Sequence, residues 1–423
     1  MTLSNGLVCF TNCLIPLEDG SLVEQDVWFD EKRGVILDAQ KTFFSRRERP
    51  SRIVDLHGNI LRQVGIPGFI DIQLNGAYNF DFSIYENDES YREGMKLVAE
   101  RIIETGVTSL LPTLITQDKT VYPKILSLLQ PFSTPKSATL LGWHAEGPFI
   151  NHDKRGAHAP PFLLTAPEGI KSFEDIYGER NLAENEDWLM ASGGQNAGVR
   201  MITAAPEIEG VMNAIGELAK RGIVFSIGHS VASSEVATTA VRYGAGIITH
   251  LFNAMPQLHH RDPSIIGLLD MAFVRPFYGL IVDGVHSHPN SVRLAYSAHP
   301  DGCVLITDAQ KILDPSLQDG VYEWRDGQRF VKAGYKLYLE GTNTLAGSVV
   351  TLDACVRNFS RYTGCSLGEA IKCATYNPAK CLGLENRKGT LRPGADADFV
   401  VLDRRGTVLS TWVKGKEAWV KAT

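Results

Sequence analysis

The chain has no C-x-x-C pair, no long apolar run and no block of basic residues. Each absence removes a class of protein. Its seven cysteines, Cys9, Cys13, Cys303, Cys355, Cys365, Cys373 and Cys381, are odd in number and lack structural-zinc spacing. They are expected as free, mostly buried thiols in a reducing compartment. No apolar stretch reaches the roughly 18 residues that a membrane span needs. The opening M-T-L-S-N-G-L-V-C-F lacks the basic start and long apolar core of a secretory signal. The expected location is cytoplasmic, with no membrane partner. A formal net charge of -6 without a basic cluster argues against nucleic acid. It leaves room for a few arginines gathered around a small anion.

What remains is an ordinary globular composition, 44% hydrophobic and 21% charged. A length of 423 residues suits one large domain and one smaller one. The first part, to about residue 64, reads as strands and turns, such as G-L-V-C-F-T-N-C-L-I and S-R-I-V-D-L. Arg46 to Arg49, before Pro50, reads as a charged loop.

From Ile66 the pattern changes. Eight short apolar runs follow: I-P-G-F-I-D-I, V-T-S-L-L-P-T, A-T-L-L-G-W-H-A, V-R-M-I-T-A, I-V-F-S-I-G, G-I-I-T-H-L, Y-G-L-I-V-D and C-V-L-I-T-D. Helical patterns lie between several of them, as at Tyr91 to Glu104, Glu209 to Lys220 and Ser233 to Tyr243. Continuous apolar strands alternating with helices indicate α/β architecture with a parallel sheet. Eight such units favour a (β/α)8 TIM barrel. Asn151 to Gln195 is a long polar insertion, and Tyr322 to Tyr338 carries hairpin turn signals. Helical segments are expected near Val350 to Ser360 and Leu367 to Thr375. Strand character returns in A-D-F-V-V-L-D, G-T-V-L-S-T-W-V and K-E-A-W-V. The expected organisation is a small β-sandwich domain from both chain ends, residues 1–64 plus 386–423, flanking a barrel over 65–385.

Chemistry on such a barrel gathers at the C-terminal ends of its strands. Polar residues cluster there. Asp71, Gln73 and Asn75 close the first strand; His144 and Glu146 the third; His229 the fifth; His250 the sixth; Asp283 and His286 the seventh; Asp308 the eighth. Two imidazoles and one carboxylate from separate strands, Glu146, His229 and His250, form the best metal set, leaving a position for water. His144, in the tight G-W-H-A-E-G-P-F stretch, fits a packed, hydrogen-bonded role equally well. Asp308, after the apolar run V-L-I-T, can take a proton from an attacking water and return it to a leaving group. Asn253 can donate to and accept from a sugar or amide. Arg261 can fork onto a phosphate. His158 can polarise a carbonyl or bind substrate. The A-G-S turn within Gly341 to Ser348 is too weak for a phosphate loop.

These segments resemble one family. P-G-F-I-D-I-Q-L-N-G, H-A-E-G-P-F, I-G-H-S, T-H-L-F-N-A-M, D-G-V-H and L-I-T-D-A occur in family order, as do N-P-A-K and K-G-T-L-R-P-G-A-D-A-D-F-V. Together they resemble the N-acetylglucosamine-6-phosphate deacetylases of the amidohydrolase superfamily. The resemblance implies hydrolysis of a phosphorylated amino sugar to free amine and acetate. Residue by residue it implies Glu146, His229 and His250 as metal ligands, Asp308 as catalytic acid and base, and His158 near the acetamido carbonyl. It implies Asn253, Ala254, Arg261 and His286 as sugar-phosphate contacts. It also implies a homodimer in which Arg261 serves the neighbouring site. Many members of the wider superfamily carry H-x-H after the first strand and bind two metals. Here those positions are Gln73 and Asn75, and amides are poor ligands beside imidazoles. One divalent metal per subunit, zinc by chemical default, is therefore expected, with Gln73 and Asn75 as auxiliary groups. The same departure argues against a cyclic-amide hydrolase, and retention of all four metal and acid residues argues against a silent scaffold.

Overall fold

A computed structural model describes residues 5–46, 48–56, 64–128, 134–183, 198–272, 274–324, 327–342 and 345–422. All eight expected strands of the central sheet are present. In order they are Phe69–Leu74, Val107–Ile115, Trp143–Glu146, Val199–Ala204, Val224–Ile227, Ala245–Ile248, Phe277–Ile281 and Cys303–Ile306. Each pairs in parallel with the next. A bridge between Leu74 and Ala309 joins the first strand to the end of the eighth. The arrangement is the (β/α)8 barrel that the alternating pattern predicts. Its strands are apolar on both faces because side chains pointing inward meet one another and those pointing outward meet helices.

The helices cover the outside with one apolar stripe each. Asp88–Arg101 buries Tyr91, Met95, Val98 and Ala99, spaced to share a face, and starts where Asn87 accepts a hydrogen bond from Ser90 N. Ser234–Tyr243 is capped by Ser233 and ends at Gly244, whose φ of 117° suits glycine. The two late helical patterns appear as Leu352–Thr363 and Leu367–Lys372, the second closed by a capping box between Ser366 and Glu369.

The chain ends build a separate β unit. Leu7–Thr11, Val27–Asp30, Val35–Leu37 and Arg52–Asp55 form one sheet. The second sheet joins Leu14–Pro16 and Leu22–Glu24 to the C-terminal strands Phe399–Leu402, Val408–Val413 and Lys416–Val420. Phe10, Phe29, Phe399 and Trp412 interlock between the sheets, with ring centroids 4.8–6.2 Å apart.

Three expectations change in detail. The run I-P-G-F-I-D-I is two strands. Val64–Pro67 pairs antiparallel with Phe399–Leu402 in the terminal unit, and the barrel begins at Phe69. Gly68 makes the passage: a Cβ there would lie 1.9 Å from Thr108 Oγ1. The expected strand-and-turn region also contains a helix, Ala39–Arg46, begun by Asp38 accepting from Lys41 N at 2.9 Å. The expected loop therefore starts after Arg46. The expected hairpin is a three-stranded sheet, Gly320–Glu323, Arg329–Ala333 and Lys336–Leu339. The polar insertion after Asn151 holds a helix, Ile170–Tyr177, and its last part lies outside the described residues.

One buried ion cluster ties the terminal unit to the chain leaving the barrel. Lys388 Nζ lies 2.7 Å from Asp398 Oδ2 and 2.9 Å from Asp396 Oδ2. Arg387 also holds Asp396 at 2.7 Å, and Lys414 N donates to Asp398 Oδ1 at 2.9 Å. Burial opposes the charge on both Lys388 and Asp396. Their mutual attraction outweighs it, raising the lysine and lowering the aspartate. The stabilisation from Lys388 is therefore full below about pH 10 and lost as pH rises through its folded value. That from Asp396 is full above about pH 4 and lost as pH falls. Lys388→Met leaves two buried carboxylates undercompensated. It is expected to destabilise the fold by about 3–5 kcal/mol at neutral pH, read as a lowered denaturation midpoint. An unchanged midpoint would remove the cluster from the stability of the fold.

Candidate metal centre and active site

The site lies where the strands end, and three of its residues adopt backbone angles that side chains disfavour. His229, His250 and Asp308 have φ of 50°, 26° and 47°. Such conformations cost roughly 1–3 kcal/mol each and persist only where the surroundings over-determine them. Here they do. His229 O accepts from Asn151 N at 2.8 Å, His250 O accepts from Asn253 N at 2.9 Å, and Asp308 N donates to Gln73 O at 2.9 Å. Gly228 lets the fifth and sixth strand ends approach, since a Cβ there would lie 2.6 Å from Thr249 Cβ.

The three expected ligands converge. Glu146 Oε1 lies 3.0 Å from His229 Nε2 and 3.2 Å from His250 Nε2, and the two nitrogens are 3.0 Å apart. Tetrahedral ligands at zinc distances would be separated by about 3.3 Å. His229 Nδ1 is 2.7 Å from the Lys154 carbonyl, which can only accept. The proton therefore sits on Nδ1, and Nε2 presents its lone pair to the centre. All three side chains are buried. Burial pushes the Glu146 carboxyl up, but the two imidazoles facing it outweigh that and hold it well below the usual range. Burial likewise opposes charge on His250, and Glu146 reverses that. A buried pocket with one carboxylate and two imidazoles fits a divalent cation. Among the described residues no other cluster of three such groups meets the same geometry.

His144 is not part of the ligand group. Its Nδ1 lies 3.0 Å from the Ile72 carbonyl and its Nε2 2.8 Å from Thr203 Oγ1. Burial lowers its pKa to about 4, so the ring is neutral and Nε2 must accept. Thr203 then donates upward to His144, accepts from Thr249 at 2.8 Å, and Thr249 accepts from Ser226. This directed chain crosses from the third to the sixth strand beneath the ligands and helps fix their spacing. Asp71 is likewise a joint rather than a site residue. It is fully buried, accepts from Thr307 Oγ1 at 2.5 Å, and burial pushes it up to about 7.

Asp308 stands beside the ligands. Burial and repulsion from Glu146 raise its pKa to about 6. Gln73 Nε2 donates to Glu146 Oε1 at 3.1 Å and to Asp308 Oδ1 at 3.4 Å, bridging the two carboxylates. Asn75 Nδ2 donates to Asp308 Oδ1 at 2.6 Å. The auxiliary amides of the first strand thus reach both acids directly.

His158 stacks edge-on against His229, with centroids 4.5 Å apart. Its Nδ1 receives Thr116 N at 3.3 Å and meets Thr116 Oγ1 at 2.7 Å. A backbone N–H can only donate, so Nδ1 accepts and, in the neutral ring, Nε2 carries the proton. His158 borders a cavity of about 870 Å³ shared with Tyr85, Thr116, Phe162, Trp324 and Leu345. His286 Nδ1 pairs with Asp283 Oδ2 at 2.6 Å. Asn253 is half-buried, its Nδ2 donating to Leu251 O at 3.3 Å, and Ala254 O accepts from Ser230 N at 3.2 Å. Arg261 is exposed. The A-G-S turn packs against the eighth strand end, where Ser348 N donates to Asp308 O at 3.3 Å. Thr116 and the Lys154 carbonyl escaped the sequence reading. A threonine in an apolar run has no distinguishing pattern, and a carbonyl has no side-chain signature.

Residues 64–418 match the amidohydrolase family. The chain is 44% identical to the N-acetylglucosamine-6-phosphate deacetylase of Homo sapiens, covering 97% of this chain and 95% of that one. It is 43% identical to the enzyme of that name from Danio rerio, over 97% and 96% of the two chains. The Bacillus subtilis (strain 168) protein of the same name is 32% identical over 84% of each. Among solved structures, the Thermotoga maritima N-acetylglucosamine-6-phosphate deacetylase superposes with a TM-score of 0.77 at 28% identity, over 98% of this chain and 100% of that one. A mutant Mycobacterium smegmatis deacetylase, solved with N-acetyl-D-glucosamine-6-phosphate, gives 0.76 at 26% identity, over 98% and 99%.

The ligand geometry predicts the behaviour of metal-free protein titrated with zinc. Replacing His229 by Ala is expected to weaken zinc binding by more than about 100-fold while circular dichroism stays unchanged. Undiminished binding would mean that the cation is held elsewhere.

Proposed function

The chain belongs to the amidohydrolase family, among the N-acetylglucosamine-6-phosphate deacetylases, and from that premise we propose that this hydrolytic enzyme converts N-acetyl-D-glucosamine 6-phosphate to D-glucosamine 6-phosphate and acetate. The observation that carries the reading is the meeting of Glu146, His229 and His250 with Asp308 across Gln73. Glu146, His229 and His250 hold one divalent metal ion per subunit, with zinc favoured by the donor set. When bound, that ion supplies Lewis acidity to the acyl carbonyl and acidifies a water.

The chain's own groups do the rest. Asp308 accepts a proton from the attacking water. It later returns that proton to the amine nitrogen, which an amide needs because its anion is a very poor leaving group. His158 donates its Nε2–H to the carbonyl oxygen as negative charge develops there. Asn253, Ala254 and His286 contact the sugar phosphate, with Asp283 orienting the His286 ring. Arg261 binds the phosphate. Its exposure supports a homodimer in which it completes the neighbouring subunit's site. No helix among the described residues is long and apolar enough to cross a membrane, and the cysteines are free; both fit a cytoplasmic protein.

Acetate release is expected from the phosphorylated sugar and not from its unphosphorylated counterpart, with about one metal per chain. Two metals per chain would overturn the single-ion assignment, and no release would overturn the substrate. Asp308→Asn is expected to lower kcat by about 10²–10⁴-fold with metal still bound. Arg261→Met is expected to raise KM for the phosphorylated sugar at least about tenfold, since a charge-assisted bidentate contact is lost. Mixing it with an Asp308→Asn chain should restore one working site per dimer if the arginine acts across the interface.

A further inference from the structure

The two oxygens of Asp308 are not equivalent. Oδ1 accepts from Asn75 Nδ2 at 2.6 Å and from Gln73 Nε2 at 3.4 Å. Oδ2 has no hydrogen bond among the described residues. Asn75 itself is buried and its backbone is pinned on both sides: N donates to Ala309 O at 2.9 Å, and O accepts from Phe82 N at 3.0 Å. A carboxylate cannot donate, so the Asn75 atom facing Asp308 is the NH2 group. The other amide atom, Asn75 Oδ1, is buried without a partner. An unpaired buried carbonyl oxygen is costly. Leucine has nearly the same shape and would avoid that cost. What asparagine adds at this position is one N–H aimed at the catalytic carboxylate.

We propose that Asn75 is a positioning residue that assigns the two oxygens of Asp308 separate tasks, Oδ1 to anchoring and Oδ2 to proton exchange. The inference rests on the deacetylase reading, in which Asp308 handles the same proton twice. In the first transfer a water O–H bond breaks and an Oδ2–H bond forms. In the second, that Oδ2–H bond breaks, an N–H bond forms, and the C–N bond cleaves, its electron pair staying on nitrogen. Both transfers need Oδ2 at one place. A carboxylate free to turn about its Cβ–Cγ bond would lose that placement between them. The amide prevents the turn in both protonation states. A proton on Oδ1 would weaken that oxygen as an acceptor for two N–H groups, so the proton goes to Oδ2. The bond to Asn75 survives because NH2 only donates and Oδ1 still accepts.

The test is a double-mutant cycle on metal-loaded enzyme with N-acetyl-D-glucosamine 6-phosphate, with wild type, Asn75→Leu, Asp308→Asn and the double variant run together under steady-state conditions. Asn75→Leu is expected to lower kcat about 10–100-fold, with KM and metal content nearly unchanged. In the Asp308→Asn background the same change should cost less than about threefold, because the residue it acts through is gone. Asn75→Ser, smaller and also without the N–H, should reproduce the loss and serves if the leucine variant does not fold. A kcat within about threefold of wild type, an equal loss in both backgrounds, or an effect confined to KM would each overturn the assignment. If wild type itself releases no acetate, the deacetylase reading fails and takes the proposal with it. Failure of the Asn75 variants alone to behave as described leaves that reading intact.

Discussion

A carboxylate taken out of water must find compensating charge, and Glu146 has been taken out almost completely. Everything around it answers that demand. Two imidazoles approach within 3.2 Å, and an amide from the first strand adds a third contact. None of these residues is near another in sequence; they meet because eight parallel strands end on one side of the molecule. The left-handed backbone at His229 and His250 is a cost of turning each ring inward directly after its strand. The neutral His144 and the hydroxyl chain beneath resist the relaxation that would relieve it.

The seam where the barrel closes is also where Asp308 is mounted. Leu74 bridges Ala309, Asn75 N and Gly76 N donate to Ala309 O, and Asp308 N donates to Gln73 O. The first and eighth strands are therefore joined by the same few residues that carry Gln73, Asn75 and Asp308. Fold closure and the juxtaposition of Gln73, Asn75 and Asp308 are one event. Asp71, buried between the same strands, reinforces the seam from below through Thr307.

The barrel was legible because its strands are apolar throughout and are separated by helical periodicity, a pattern that few folds share. The meeting of Glu146, His229 and His250 was legible because carboxylate and imidazole at strand ends have few roles that a packed core can supply. Other features were legible only in part. Ile66 and Phe69 look like one strand because Gly68, which divides them, is read from sequence only as a small residue. Its need for space against Thr108 exists only after folding. The helix Ala39–Arg46 carries an aromatic pair and charges with little amphipathic pattern, so its start depends on Asp38 alone. His144 and Glu146 sit two apart on one strand, and which of them joins His229 and His250 depends on the Ile72 carbonyl and Thr203, both distant in sequence.

The small β unit draws its central pairing from opposite ends of the chain: Ile66 lies against Val400, and Phe10 packs on Trp412. During synthesis the early strands leave the ribosome long before their partners exist. The barrel strands between them are complete first. The N-terminal sheet, with Phe10 and Phe29 still lacking Phe399 and Trp412, must wait for the last strands to cover it. Until then the newly made chain displays an apolar face of the kind that chaperones bind. A nascent chain halted before Phe399 would keep that face open however well its barrel had formed.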